Sequence, residues 1–357
     1  MSAFNTFLVK RMVAIPITLF FITLALYSII MLAPFESRVQ LYMPKSGIRS
    51  QEIYERIRAR TIQKYSLDKS FPIQYFIWLK SIFSGNWGYS PVLQNDVLPE
   101  LIRRTPVTLE LVLYCLILQI PMGLLSGVKA AQKKEGFVDF VFRISAFIAT
   151  SLPDFILAIL LMAIFYIGLG WFAPERLSVS NHLFVRTDAF QTYTGLLTID
   201  AFINHKPEIA LDALRHLAMP VFTLSIVHWA TLGRVTRSIM IEELDKDYVT
   251  AARARGLPEK RVIWNHAFTN TLGPALNSSA LSAATLVTGV FIVESIFNIN
   301  GVTEILTKSG AFVPDAAAVL GFSIYNVFLV LSLMFVLDIL NAIFVPSTRE
   351  DIMSNAD

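Results

Sequence analysis

Hydrophobic positions along this chain come in long, unbroken blocks rather than with the two-residue alternation of a half-buried sheet. Val13 to Leu32 carries no charge over 20 residues, enough helix to cross a hydrocarbon core about 30 Å thick. Further uncharged runs are Leu111–Val128, Phe155–Phe172, His216–Gly233, Ala267–Val293 and Ala316–Leu337. Asp154 alone interrupts an apolar stretch that begins at Ile144, so that region is read as one long span. In lipid the backbone must satisfy its own hydrogen bonds, which leaves helices for blocks of this length. The pattern predicts an all-α polytopic membrane protein with six transmembrane helices.

Between the blocks lie polar segments of unequal length. After the first run, "SQEIYERIRARTIQKYS" is charged and helix-prone, and "SFPIQYFIWLKSIF" is aromatic-rich but too short to cross. The second reads as an amphipathic helix lying against the outer face, lid-like. "GNWGYSP" then supplies a turn before the second run. A second external connection covers about 173–215. The division expected is 1–106 for the first helix with its external segment, 107–345 for a five-helix core containing a cytoplasmic loop at 238–270, and 346–357 for a cytoplasmic tail.

Composition agrees with this reading: of 357 residues, 54% are hydrophobic and 16% charged, against about a quarter charged in soluble domains. The net charge of +3 matters less than where the basic residues fall. Lys10 and Arg11 precede the first run and place the N-terminus in the cytoplasm. Six spans return the C-terminus there. Lys129, Lys133 and Lys134 then fall in one cytoplasmic connection, and Arg234, Arg237, Lys246, Arg253, Arg255, Lys260 and Arg261 in the next. Pro34–Thr105 holds 11 Lys and Arg residues on the outside, but loops of this length escape the charge rule. The first apolar run is longer than a signal-peptide core, and "MLAPFES" offers no small-residue cleavage site, so the run is read as a retained helix. A single cysteine, Cys115, excludes an intrachain disulfide and reads as a small buried residue.

Motifs for catalysis are missing. No phosphate-cradling G-x-x-x-x-G-K-[S/T], no H-E-x-x-H, no paired-cysteine metal motif and no G-x-S-x-G occurs, and the five histidines are scattered. The chain is read as no enzyme, with no catalytic, cofactor or metal residues of its own and no nucleic-acid partner. Intramembrane acids default to functional candidates. Asp154, directly after Pro153, is the candidate to face a pathway or a water-filled break within the membrane; the alternative is that it pairs with a neighbouring helix. Glu110, Glu294 and Asp338 lie near span ends and His228 beside Trp229, and structural roles are expected for all four.

One polar island stands between two apolar runs: "DYVTAARARGLPEKRVIWNHAFTN", Asp247–Asn270. Tyr248, Ala251, Ala252 and Arg255 recur at i, i+3, i+4 and i+7, one face of a helix, and the two alanines let another backbone approach. Gly256 suits the left-handed residue that closes a helix, and Pro258 with Glu259 suits the start of a second short one. From the residues alone, a docking helix–turn–helix and an ordinary solvated loop both stand.

This stretch resembles the cytoplasmic loop of binding-protein-dependent ABC importer permeases, in the form found in dipeptide and oligopeptide permeases. Their pattern, roughly D-Y-V-x-x-A-R-A-K-G followed by H-x-x-x-N and a proline, falls on Asp247, Tyr248, Val249, Ala252, Arg253, Ala254, Gly256, His266, Asn270 and Pro274. Arg255 stands where Lys is usual, and Thr250 where the wider family begins E-A-A. The likeness extends over nearly the whole chain: "YSLDKSFPIQYFIWLKSIFSGNWGYS", "SLPDF", "TGLLTIDAF" with "LRHLAMPVFTLS", and "VESIFNINGV" all resemble family elements, the third pair those of the dipeptide subgroup. Asn86 replaces an acidic residue, and "VPSTRE" stands where D-P-R is usual.

The resemblance implies a type I ABC importer permease fold in a bacterial or archaeal plasma membrane, a B-type subunit forming a heterodimer with a second homologous permease. It implies two ABC ATPase subunits that use ATP and Mg, and an external substrate-binding protein that delivers a peptide. Asp247, Tyr248, Ala251, Ala252, Arg253, Gly256, His266 and Asn270 become the ATPase-coupling residues, with Ala252 on the docking face. Other cargoes carried on this scaffold are oligosaccharides, nickel chelates and glutathione. A secondary transporter driven by an ion gradient is the reading from another class; it fits poorly with one docking loop and little repeat symmetry.

Overall fold

The computed structural model describes residues 3–43, 50–310 and 315–344, leaving aside the side chains of 3–11, 278–284, 309–310, 337–338 and 340–344. The "VPSTRE" segment and the tail 346–357 lie outside the described residues, and the Asp338 side chain outside the described side chains. In chain order the helices are α1 (Ala3–Met31), α2 (Phe35–Tyr42), α3 (Gln51–Tyr65), α4 (Phe71–Phe83), α5 (Val97–Gln132), α6 (Phe137–Ser151) and α7 (Asp154–Leu161). They continue with α8 (Val179–Val185), α9 (Leu197–Ile203), α10 (Pro207–Leu244), α11 (Asp247–Ala254), α12 (Glu259–Arg261), α13 (Phe268–Ile296), α14 (Glu304–Gly310) and α15 (Ala316–Phe344). A two-stranded ribbon pairs Tyr89 with Asp96 and Ser90 with Asn95.

By length and composition, four helical stretches can cross a bilayer: Met12–Met31, Val97–Gln132, Pro207–Leu244 and Ala316–Val336. A further apolar stretch is a bent pair, and counting it as one passage makes five where the sequence predicts six. The region read as one straight span is two helices, Phe137–Ser151 and Asp154–Gly168, bent by 98° at Leu152–Pro153. Leu152 is extended, at φ −98° and ψ 121°, as the residue before a proline must be. Pro153 cannot donate to the preceding turn, and its carbonyl instead accepts from Ile156 and Leu157, at 3.0 and 3.2 Å, to open α7. Block hydropathy carries no direction, which is why the bend escaped the sequence reading. Beyond Leu161 the helix widens to π geometry over Met162–Gly168.

The chain divides into two compact units. One holds Leu109–Ile299 together with the chain's two ends, and is organised on α10, which packs against α6, α9 and α13. Close approach of α5 and α10 depends on Gly127, where an added Cβ would stand 2.6 Å from the Gly233 carbonyl oxygen. Arg237 of α10 clamps Asp139 of α6 through two bonds, 2.5 and 2.7 Å, and Asp139 is fully buried. On the same unit the 173–215 connection folds over a small core of Leu177, Phe190, Leu197, Ala201, Ile209, Ala210 and Ala213. Glu110 anchors it: the buried carboxylate accepts from the Thr198 backbone and hydroxyl, both at 2.7 Å, and pairs with Arg176. Cys115 is buried and free, as expected.

The other unit comprises Met12–Thr108 and Asn300–Leu329. Here the external segment forms the two helices α3 and α4. The aromatic stretch α4 packs on α1 and α15 through Tyr75, Tyr27 and Leu320, with the Tyr27 and Trp78 rings 4.9 Å apart. Asp315 caps α15, accepting from the Ala318 backbone at 3.0 Å, and receives the Ser90 hydroxyl at 2.5 Å.

Candidate functional site

The polar island follows α10 almost without pause. α10 ends at Leu244, and α11 begins three residues later, so 238–244 is the end of the long helix rather than loop. Within α11, Val249 and Ala252 are one turn apart and buried. They close a core with Val128 and Ala131 of α5, Met240 of α10, and Val262, Ile263 and Ala267, with Ile241, Leu244, Leu257 and Trp264 packed around it. Asp247, Thr250, Ala251, Ala254 and Arg255 face outward and are exposed. Ala252 therefore does not lie on a docking face; it is 6% exposed and seated in the chain's own core. An eight-residue helix with alanines at both 251 and 252 offers two candidate small-residue faces. Val249, at i−3 from Ala252, decides which of them turns inward because it carries more apolar area.

The turn after α11 is fully bonded. Gly256 sits at φ +75°, the left-handed conformation expected of it. Its amide donates to the Arg253 carbonyl at 2.9 Å, and the Leu257 amide donates to the Ala252 carbonyl at 3.3 Å. That is the double bond pattern of a Schellman closure, with Leu257 and Ala252 in the same apolar cluster. Arg253 bridges the turn to Glu259 at 2.8 Å, and the pairing holds the Glu259 carboxyl below the usual glutamate range. The second element is not a separate short helix. Pro258 opens α12, which passes through a π-helical stretch, Val262–Ala267, directly into α13.

The structure brings Tyr248 and Asn270 together around a residue that sequence reading passed over, Glu243. The Tyr248 hydroxyl donates to Glu243 at 2.5 Å, and Lys246 pairs with the same carboxylate. Burial pushes the Tyr248 phenol up to about 12; the Glu243 bond acts in the same direction and a bond with Asn270 opposes them. The phenol therefore stays protonated at neutral pH and keeps donating. A buried Glu in the last turn of a helix, five residues before a Tyr, was the available signal. His266 lies half-buried in the π-helical stretch, apart from the exposed face of α11. Asp247, Ala251, Arg253 and Gly256 line the exposed side of the turn.

Asp154 occupies the other irregular site, at the first position of α7 after the bend. It is partly exposed, and its Oδ2 lies 3.1 Å from where a Cβ on Gly289 of α13 would stand. A side chain at 289 would press on this carboxylate. Among the described residues nothing hydrogen-bonds to this carboxylate, so the expected alternative of a paired structural acid is not what the described side chains show.

Arranged this way, the unit presents a small exposed helix face backed by a core that joins the ends of α5 and α10 to the start of α13. Residues 119–350 match the family model of the binding-protein-dependent transport system inner membrane component. The chain is 32% identical over 83% of its length to a di/tripeptide transport system permease protein of Pseudomonas aeruginosa, covering 85% of that protein. It is 29% identical over 94% of its length to an oligopeptide transport system permease protein of Bacillus subtilis, covering 96% of it. A probable D,D-dipeptide transport system permease protein of Escherichia coli is 31% identical over 82% of this chain and 83% of its own. With the family model spanning more than half of it, the chain belongs to the inner-membrane permeases of binding-protein-dependent ABC transport systems.

Proposed function

We propose that this permease imports peptides, and that α11 is the element through which ATP-driven motion enters it. The chain works beside a second, homologous permease, with two ATPase subunits on the cytoplasmic side and a substrate-binding protein outside. α1, α5, the bent α6–α7 pair, α10, α13 and α15 make six passages with both termini cytoplasmic. The exposed strip Asp247, Thr250, Ala251, Ala254 and Arg255 seats in a groove of an ATPase subunit, a helix-in-groove contact. The observation that carries this reading is the two-sidedness of α11: a polar, small-residue face outward and an apolar face built into three helices. Peptide as cargo rests on the names of the relatives from three bacteria, and Asp154 is the residue proposed to meet the substrate's ammonium. Residues 1–106 supply the first passage and an external platform beside the outer mouth, and 107–345 the core that moves.

Reconstitution with the ATPase subunits, the second permease and the binding protein tests this. Uptake of labelled di- and tripeptides is expected, driven by ATP and dependent on the binding protein. Uptake of a nickel chelate, an oligosaccharide or glutathione in place of peptides would overturn the cargo assignment. Uptake that follows an ion gradient without ATP would overturn the mechanism.

A further inference from the structure

The second unit contains a cavity of about 570 Å³ whose walls are almost wholly apolar. Leu19 and Phe20 of α1, Phe83 of α4, Ile102 of α5, and Ile324 and Phe328 of α15 form most of it. Its hydroxyl groups are bonded to one another and to backbone, and the Trp87 indole is the further polar group in the lining. The Thr23 hydroxyl donates to the Phe20 carbonyl and shares a bond with the Tyr75 hydroxyl, both at 3.0 Å. The Tyr325 hydroxyl shares a 2.6 Å bond with Thr105, whose own hydroxyl reaches the Leu101 carbonyl at 2.7 Å. Water needs two or more polar partners to occupy a cavity, and the lining leaves the Trp87 indole N–H as its one donor without a described bond. An empty void of this size would forfeit dispersion contacts along its whole lining.

Depth settles which apolar material is at hand. Leu19, Phe20 and Thr23 lie in the middle of the Met12–Met31 crossing, and Ile324 and Phe328 in the middle of Ala316–Val336. The rim is open: Phe83 is 84% exposed, Ile102 55% and Phe328 49%. Away from the cavity, α1 also exposes Ile17, Phe21 and Ile29. We infer that this cavity is a binding site for one acyl chain of a bilayer phospholipid, held between α1, α4 and the start of α5 as part of the wall of this unit. The volume falls in the range of sites for small apolar ligands. The exposed aromatic end of α4, Phe76 with Phe83, flanks the entrance where a lipid would enter from the membrane.

The test uses the complete transporter in vesicles of phosphatidylethanolamine and phosphatidylglycerol doped with a phosphatidylcholine that carries a diazirine midway along one acyl chain. Irradiation followed by peptide mass spectrometry maps the contacts, once in the vesicles and once after dilution into lipid-free detergent. Leu19, Ile324 and Phe328 should be labelled in both states, while label at the outward-facing Phe21 and Ile29 falls severalfold on dilution. Leu19→Trp fills the cavity and should remove label there while sparing Phe21. Ile102→Trp at the rim gives the same reading should the first variant fail to assemble. Two results overturn the proposal: a cavity left unlabelled in vesicles that label Phe21; or cavity label lost on dilution together with that of Phe21, which is ordinary boundary lipid.

Discussion

Two breaks in the helical path of the larger unit, at Gly256 and at Pro153, are built in opposite ways. At Gly256 every strained element has a partner: the left-handed residue is a glycine, two backbone bonds close the turn, and Arg253 bridges it to Glu259. Its inner face is packed into a core shared with α5, α10 and the run into α13. At Pro153 the helix ends without a side-chain cap, the next residue is an acid, and no described side chain bonds that acid. A turn made rigid on all sides transmits displacement. A bend with an unsatisfied carboxylate has spare bonding capacity to offer a passing ligand. The contrast is what motivates proposing force transmission at one site and substrate contact at the other.

The largest effect expected is at Ala252. Ala252→Glu buries an unpaired charge in the chain's own core, a cost of ~3–5 kcal/mol. It should lower the amount of folded permease in the membrane, read by quantitative immunoblot and by thermal stability of the purified subunit. Normal levels with uncoupled ATPase activity would return Ala252 to an outward docking face. Gly256→Val comes next. An added Cβ meets nothing within 4 Å there, so the whole effect is backbone, about 1–2 kcal/mol for forcing a left-handed conformation on a residue with a Cβ. The expected outcome is near-normal membrane levels with weakened co-purification of the ATPase, and Gly256→Asn should restore part of it. Equal damage from valine and asparagine would point to a lost contact rather than a strained turn.

At the bend, Asp154→Asn keeps shape and removes charge. A charged hydrogen bond to an ammonium is worth ~1.5–3 kcal/mol, so peptides with a free N-terminus should lose roughly tenfold or more in apparent affinity. N-acetylated peptides should change little, and uptake assays across both sets read the difference. An equal loss for both would make Asp154 structural. The smallest effect is at Glu259. Its pairing with Arg253 is solvent-facing, so Glu259→Gln should cost only ~0.2–1 kcal/mol. The carboxyl is depressed in the folded protein, so the pair contributes above the ordinary glutamate range and the contribution fades as pH falls through the lowered value. Raised salt should erase the difference between variant and parent in a stability titration.

Much of this was readable in the chain, and the misreadings have specific causes. The glycine closure was legible because a positive-φ demand after a helical run is local, and Gly256 met it. Of the six blocks read as crossings, the four at Met12–Met31, Val97–Gln132, Pro207–Leu244 and Ala316–Val336 were legible because uncharged length is additive along the sequence. Which alanine faces inward was not, because α11 is too short for periodicity to separate two faces offset by one residue. The Pro153 bend was hidden by reading hydropathy without the restriction that a proline places on Leu152. Glu243 was missed because its partners Lys246 and Tyr248 meet it only after the chain has turned. Glu110 had no local signal at all, since Arg176 and Thr198 lie 66 and 88 residues away.

The account turns on α11 having an outer face that couples and an inner face that braces. The measurement that reaches this most directly is ATP hydrolysis by the complete transporter in vesicles, with and without loaded binding protein, for Ala251→Glu. Ala251 is exposed and adds nothing to the core beneath, so the variant should assemble at parental levels. A charge and added volume on the docking face should nonetheless abolish the acceleration of hydrolysis by loaded binding protein. Full acceleration in Ala251→Glu, at parental expression, would contradict the claim that this face meets the ATPase.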